Sequence, residues 1–102
     1  MNDTDRIKRL AEWMGISYDE GYHWWNPLER IQDAWMLVEK ARELSYRFRT
    51  SLGWTWGIQG EWQAGFDKRI NDETNQWWGY GVTAPLAICA AIEKVMEAKC
   101  KP

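Results

Sequence analysis

The sequence predicts an α+β fold: a small antiparallel β-sheet packed against α-helices in an α-β-α sandwich-like arrangement. Two observations carry this, and a third bears on what the surface holds. Segments opening near Asn26 and near Thr83 repeat apolar residues with the 3.6 period of a helix. The stretch that follows Tyr46 alternates with period two, as a half-buried strand does. Nine of the 102 residues are tryptophan. So many large rings, each with an N–H that needs a partner, exceed what one small core can hold.

The first helix is expected from about Thr4 to Met14. Asn2, Asp3 or Thr4 can cap it. Ile7, Leu10, Ala11 and Met14 recur on one face, and Gly15 is placed as its stop. Ile16 to His23 is turn-rich, and a short strand is expected near Tyr22 to Trp25. The second helix is expected to open at Asn26, with Pro27 in the first helical position and Glu29 completing a capping box. Leu28, Ile31, Trp35 and Val38 line one row and Ala34, Leu37, Ala41 and Leu44 the next, up to about Ser45.

Tyr46 and Phe48 fall on one face of the next strand, Arg47 and Arg49 on the other. Ser51-Leu52-Gly53 reads as a tight turn. Trp54, Trp56 and Ile58 then alternate with Thr55, Gly57 and Gln59, giving a hairpin, and a third short strand covers Trp62 to Phe66. Asp67 to Gly81 is polar and irregular, so a long loop is expected there; such loops are uncommon and often functional. Thr83 caps the C-terminal helix, Ala84-Pro85 opens it, and Leu86, Cys89, Ile92 and Met96 form its stripe.

The length fits a single domain spanning residues 1–102. Net charge is -2, with a pI near 5.4 and both signs interspersed. That speaks against a duplex nucleic-acid binder, which carries a basic excess, but leaves room for one small anion. Cys89 and Cys100 fall on one helix, roughly 16 Å apart along its axis, too far for a disulfide. Reduced thiols fit a cytoplasmic protein. With one histidine there is no zinc-ligand spacing. No apolar run reaches the roughly 20 residues of a membrane span, and the first residues lack the apolar core of a signal peptide.

Three pieces carry a family resemblance: Asn26-Pro27-Leu28, Asp33-Ala34-Trp35-Met36-Leu37-Val38-Glu39-Lys40, and Thr83-Ala84-Pro85-Leu86-Ala87-Ile88-Cys89-Ala90-Ala91. Together they resemble the phage ABA sandwich family, small proteins of bacteriophages and prophages. The resemblance implies a phage origin and a sheet packed against helices. It implies no activity, and no residue roles come with it. Residues 60–81 lie outside it.

Trp13, Trp35, Trp54 and Trp56 are expected to pack in the core. Trp24-Trp25 and Trp77-Trp78 are adjacent pairs, so one member of each should point inward and the other outward. Arg47 and Arg49 on one strand face could clamp a phosphate, or simply be solvated or paired with carboxylates. His23 is read as structural, because no nucleophile or paired carboxylate stands near it. There is no nucleophile elbow, phosphate-binding glycine loop or metalloprotease helix. The expected function is therefore non-catalytic: binding and sequestering a nucleotide-type immune signal, such as a cyclic oligonucleotide or a cyclic ADP-ribose derivative. No cofactor or metal is expected. The expected ligand-binding set is Trp24, Trp25, Arg47, Arg49, Lys68, Arg69, Asn71, Trp77, Trp78 and Tyr80. A protein-interaction module that inhibits a host protein is the second reading; a small enzyme that degrades the signal is the third. Excess aromatic surface and sheet edges also point to a homo-oligomer.

Overall fold

The computed structural model describes residues 3–16, 25–55 and 58–100, with side chains at 3–16, 25–48 and 62–98. The architecture is α+β, with three helices and one three-stranded antiparallel sheet. In chain order the elements are α1 (Asp3–Met14), α2 (Ile31–Glu43), β1 (Arg47–Thr55), β2 (Ile58–Ile70), β3 (Glu73–Gly81) and α3 (Ala84–Cys100). The strands form a meander in the order β1-β2-β3. Among the described residues, α2 packs over β1, α3 packs over β3 and β2, and α1 packs on α2 and α3.

α1 forms as expected and buries Ile7, Leu10 and Ala11. Its end returns the Ile16 amide to the Ala11 carbonyl at 2.9 Å, a bond that satisfies one of the last free carbonyls. Arg6 ties it to α3 by donating two hydrogen bonds to the Glu93 carboxylate. That bonding holds the guanidinium pKa above its ordinary value.

α2 starts later than Asn26. Residues 27–29 form a separate turn, and Arg30, with extended backbone, precedes the helix without a side-chain cap. The polar groups of the expected capping box are used otherwise. Asn26 accepts a bond from the Leu28 amide at 3.2 Å through its side chain, and its own amide donates to the Asp33 carboxylate at 2.8 Å. The Pro27 carbonyl accepts from the Cys89 thiol at 3.1 Å. Asn-Pro-Leu thus acts as a clip between α2 and α3 rather than as the first turn of a helix.

The sheet departs most from expectation. Ser51-Leu52-Gly53 is not a turn: β1 runs through it, pairing Ser51 with Gln63 and Gly53 with Glu61. The chain reverses instead between Thr55 and Ile58. Residues 67–81 are not a loop either. β2 continues to Ile70 and β3 begins at Glu73, joined by Asn71 and Asp72. Both have positive φ, 51° and 66°, as a two-residue hairpin turn with matching twist requires. The expected short strand near Tyr22 to Trp25 lies outside the described residues at positions 22–24.

The helix-facing side of the sheet carries Phe48, Ala64, Phe66, Trp77, Gly79 and Gly81. Phe48 and Phe66 lie 5.1 Å apart between ring centroids, and Tyr46 meets Trp77 edge-on at 5.4 Å. Burial raises the Tyr46 pKa by desolvating its phenolate. Leu10, Leu37, Val38, Ile88, Ile92 and Val95 complete the core from the helices. Trp35 corrects an expectation: it touches Phe48 edge-on at 5.7 Å but remains 41% exposed. Trp13 packs half-buried against the core. Trp56 and the Trp54 side chain lie outside the described residues.

α3 opens as expected. Thr83 accepts from the Leu86 amide through its hydroxyl, and its carbonyl accepts from the Ala87 amide at 3.1 Å. The helix approaches β3 backbone to backbone. A β-carbon at Gly79 would collide with the Ala91 amide nitrogen and stand 2.5 Å from the Ala87 carbonyl oxygen. Neither atom can rotate away. At Gly65 the obstacle is instead the Trp78 side chain, also at 2.5 Å. Gly79→Ala should therefore destabilise by about 3 kcal/mol, the upper part of the range for overpacking. Gly65→Ala should cost less, since an indole can turn. Urea denaturation of both variants checks this; equal losses would show that α3 yields as easily as a side chain.

Candidate functional site

The register divides the predicted binding residues between two faces. Arg47 pairs with Asp67, which pairs with Gln76; Gly65 pairs with Trp78, and Gln63 with Tyr80. These positions alternate with Phe48, Phe66, Trp77 and Gly79, so they face away from α2 and α3. Among the described residues no helix covers this face. It is a broad polar surface of the sheet and the candidate site.

Trp78 dominates its centre. The six-membered ring covers Gly65, which has no side chain to hold it off. An aromatic side chain opposite a strand glycine shields the bare backbone, so Trp78 has a structural task whether or not it binds anything. Its Nε1 donates to the Gln76 side-chain oxygen at 3.4 Å. Tyr80, 43% exposed, lies two residues further along β3, with the Lys94 ammonium 6.0 Å from its ring centre.

Cations gather at the other end. Arg47, Asp67, Lys68, Arg69, Ser45 and Thr74 line a cleft of about 320 Å³ where β1 begins and β2 ends. Arg47 donates to the Asp67 carboxylate at 2.7 Å; Asp67 is 5% exposed although it faces outward. Arg69 stands 3.8 Å from Asp72 across the turn, with both side chains largely in solvent. Such an exposed pair contributes little and is easily exchanged for another anion. Lys68 comes from the helix side of the sheet and lies 4.8 Å over the Tyr46 ring. Three cations thus flank one carboxylate in the cleft.

The remaining predicted residues fall elsewhere. Trp25 is a core residue, 1% exposed, with its Nε1 buried and unpartnered. Trp77 is half-buried under the helices against Tyr46, so the inward and outward division of the Trp77-Trp78 pair holds. Asn71 forms the hairpin tip. Arg49 occupies the register position opposite Gly65; its side chain, and Trp24 and His23 altogether, lie outside the described residues. Thr74, Gln76 and Asp67 were missed. The signal was present in the alternation of Thr74, Gln76, Trp78 and Tyr80, but reading residues 67–81 as a loop concealed it.

Cys89 is buried, and desolvation pushes its thiol well above the usual range, so it is no nucleophile. Among the described residues no group of histidine, cysteine and carboxylates is arranged to hold a metal, and no helix is long and apolar enough to cross a membrane.

A family model for the phage ABA sandwich domain matches residues 8–92. The chain belongs to the phage ABA sandwich domain family. The match spans residues 60–81 and with them the open face of this phage domain. No curated protein and no solved structure matches the chain.

Ser45 at the cleft rim is strained. It has φ 72° as the residue that ends α2, where the Tyr46 amide returns to the Ala41 carbonyl at 2.9 Å. Glycine adopts this left-handed conformation without penalty. Ser45→Gly should stabilise the fold by about 1 kcal/mol, read as a rise in the midpoint of urea unfolding. An unchanged or lowered midpoint would mean that the hydroxyl at the cleft is worth as much as the strain.

Proposed function

We propose that this phage domain is a non-catalytic binding protein that captures a nucleotide-type anion on the open face of its sheet. In a phage setting such capture would withdraw a cyclic oligonucleotide or cyclic ADP-ribose-like signal from host defence. The observation that carries the reading is the polarity of that face along the strands: Trp78 and Tyr80 at one end, Arg47 and Arg69 at the other, with Lys68 reaching the same cleft from the helix side. A base can stack on an exposed indole or phenol ring, worth about 1–3 kcal/mol per base. A phosphate can displace the exposed Asp72 from Arg69 and share the Lys68 ammonium. Two such anchors act on one rigid ligand, so their contributions combine. On this reading the ligand is held intact, by cations and stacking surfaces.

Charge supports a small ligand rather than a long one. With a net charge of -2, the chain as a whole repels a polyanion, while three cations line one cleft.

A thermal-shift panel of cyclic dinucleotides, cyclic trinucleotides and cyclic ADP-ribose isomers tests the proposal. A true ligand at 100-fold excess over its Kd adds about 2.7 kcal/mol to stability. Trp78→Ala should then weaken binding about 10- to 100-fold, and Arg69→Ala should weaken it while leaving the fold intact. Asp67→Asn removes the carboxylate that lines the cleft and should tighten the same ligand. If no member of the panel shifts the melting curve, the nucleotide reading fails.

A further inference from the structure

We propose that the β1 edge and the adjoining flank of α2 bind a second copy of this chain across a two-fold axis. The inference goes beyond the ligand reading and stands without it.

The sheet has two edges, β1 and β3, and they are treated differently. α3 packs closely on β3, and its Lys94 reaches Tyr80 at that edge. A lysine at an edge discourages strand addition. Among the described residues β1 pairs with β2 on one side only. Beside it α2 exposes Ile31 at 47% and Trp35 at 41%, and these two with Gln32 line one apolar depression. Trp35 rests edge-on against Phe48 of β1, so the apolar patch and the unpaired edge are neighbours. A free strand edge beside exposed apolar side chains is what strand addition needs.

Self-complementarity identifies the occupant. An antiparallel pairing of β1 with its copy about Ser51 sets Arg47 opposite Thr55 and Arg49 opposite Gly53 of the second copy. No arginine meets an arginine, so the charge pattern of the edge tolerates its own image. The helix obeys the same axis. The rise from Tyr46 to Ser51 along the strand is about 17 Å. The rise from Leu44 back to Asp33 along the helix is also about 17 Å. For an α2 that runs back along β1 from the Leu44–Ser45 turn, an axis through Ser51 passes near Asp33, and it sets Ile31 against Trp35 of the second copy, with Gln32 close to the axis. The strand edge and the helix patch thus call for the same two-fold, without having been adjusted to each other. The product is a six-stranded sheet with all helices on one side. Its open faces join, and the β1 arginine positions of both copies surround the axis.

The test is light scattering of the full chain at micromolar concentration, with a mass near twice 12.1 kDa expected. Ile31→Lys with Trp35→Lys should restore the single-chain mass while circular dichroism keeps the helical signal. Should that variant fail to fold, Gln32→Cys in a Cys100→Ser background replaces it. An oxidised dimer on a non-reducing gel supports the axis, and Glu12→Cys in the same background should give none. A mass of one chain throughout, a dimer that survives the double lysine variant in folded form, or equal cross-linking at both cysteines would overturn the proposal. Because these readouts use no ligand, they are independent of the thermal-shift panel.

Discussion

The contact between α3 and β3 at Gly79 and Gly81 governs the rest of the molecule. At Gly79 nothing but backbone separates strand and helix, and at Gly81 only backbone and the Leu86 β-carbon do, as the blocked β-carbon positions show. Close approach on this side is matched by a thick layer on the other. Beneath α2 the space is filled by Tyr46, Phe48, Phe66 and Trp77, packed ring against ring. The layer is thus thin where α3 meets Gly79 and Gly81 and thick where these rings lie. An alanine-rich α3 and the aromatic cluster of Tyr46, Phe48, Phe66 and Trp77 are two halves of one solution. Neither could exchange places with the other without voids or clashes.

A consequence is that nearly all apolar surface is spent on one side of the sheet. Three strands cannot bury both faces with helices from one layer only. The other face must carry groups that tolerate water, and it does: Gln76, Thr74 and the Arg47–Asp67 pair. Trp78 and Tyr80 are the exceptions. Trp78 is explained in part by Gly65, whose bare backbone it covers. Tyr80 has no comparable task, and its pairing with Lys94 leaves most of the ring available. An aromatic that the fold does not need, beside one that it does, makes this face a better candidate for ligand stacking than the buried indoles.

What could be read from the sequence follows from burial. α1 and α3 bury a clear stripe, and their caps, Gly15 and Thr83, stand where expected. The α2 stripe was also plain, but its start was not. Asn26-Pro27 carries a helix-opening signature, whereas Asp33 and Cys89 claim its polar groups from a distance. Long-range partners leave no trace in a local pattern. The second hairpin was missed for the opposite reason. Around Arg69, Ile70, Asn71 and Asp72 both faces of the ribbon are exposed, so no alternation of apolar and polar residues records the strand. The Asn71-Asp72 turn chemistry was the better guide there. Ser51-Leu52-Gly53 misled in turn, because small residues can also mark a strand that runs flat through the sheet. The split of Trp77 from Trp78 and of Phe48 from Arg47 was readable, since it needs only the two-residue period.

The fate of the tryptophans shows how fold and site share one constraint. Adjacency by itself does not say which indole turns outward. A slip of one residue along β3 would put Trp78 under the helices and Trp77 in solvent. Two contacts forbid it. Gly79 must meet the α3 backbone, and the residue before it must then lie across from Gly65 on the far side. A tryptophan moved into the place of Gly79 would drive α3 off the sheet. The glycine that lets the helix approach is therefore also what presents Trp78 to solvent. The partial exposure of Trp78 is not a defect that the fold tolerates; it is set by the same close packing that holds the sheet to its helices.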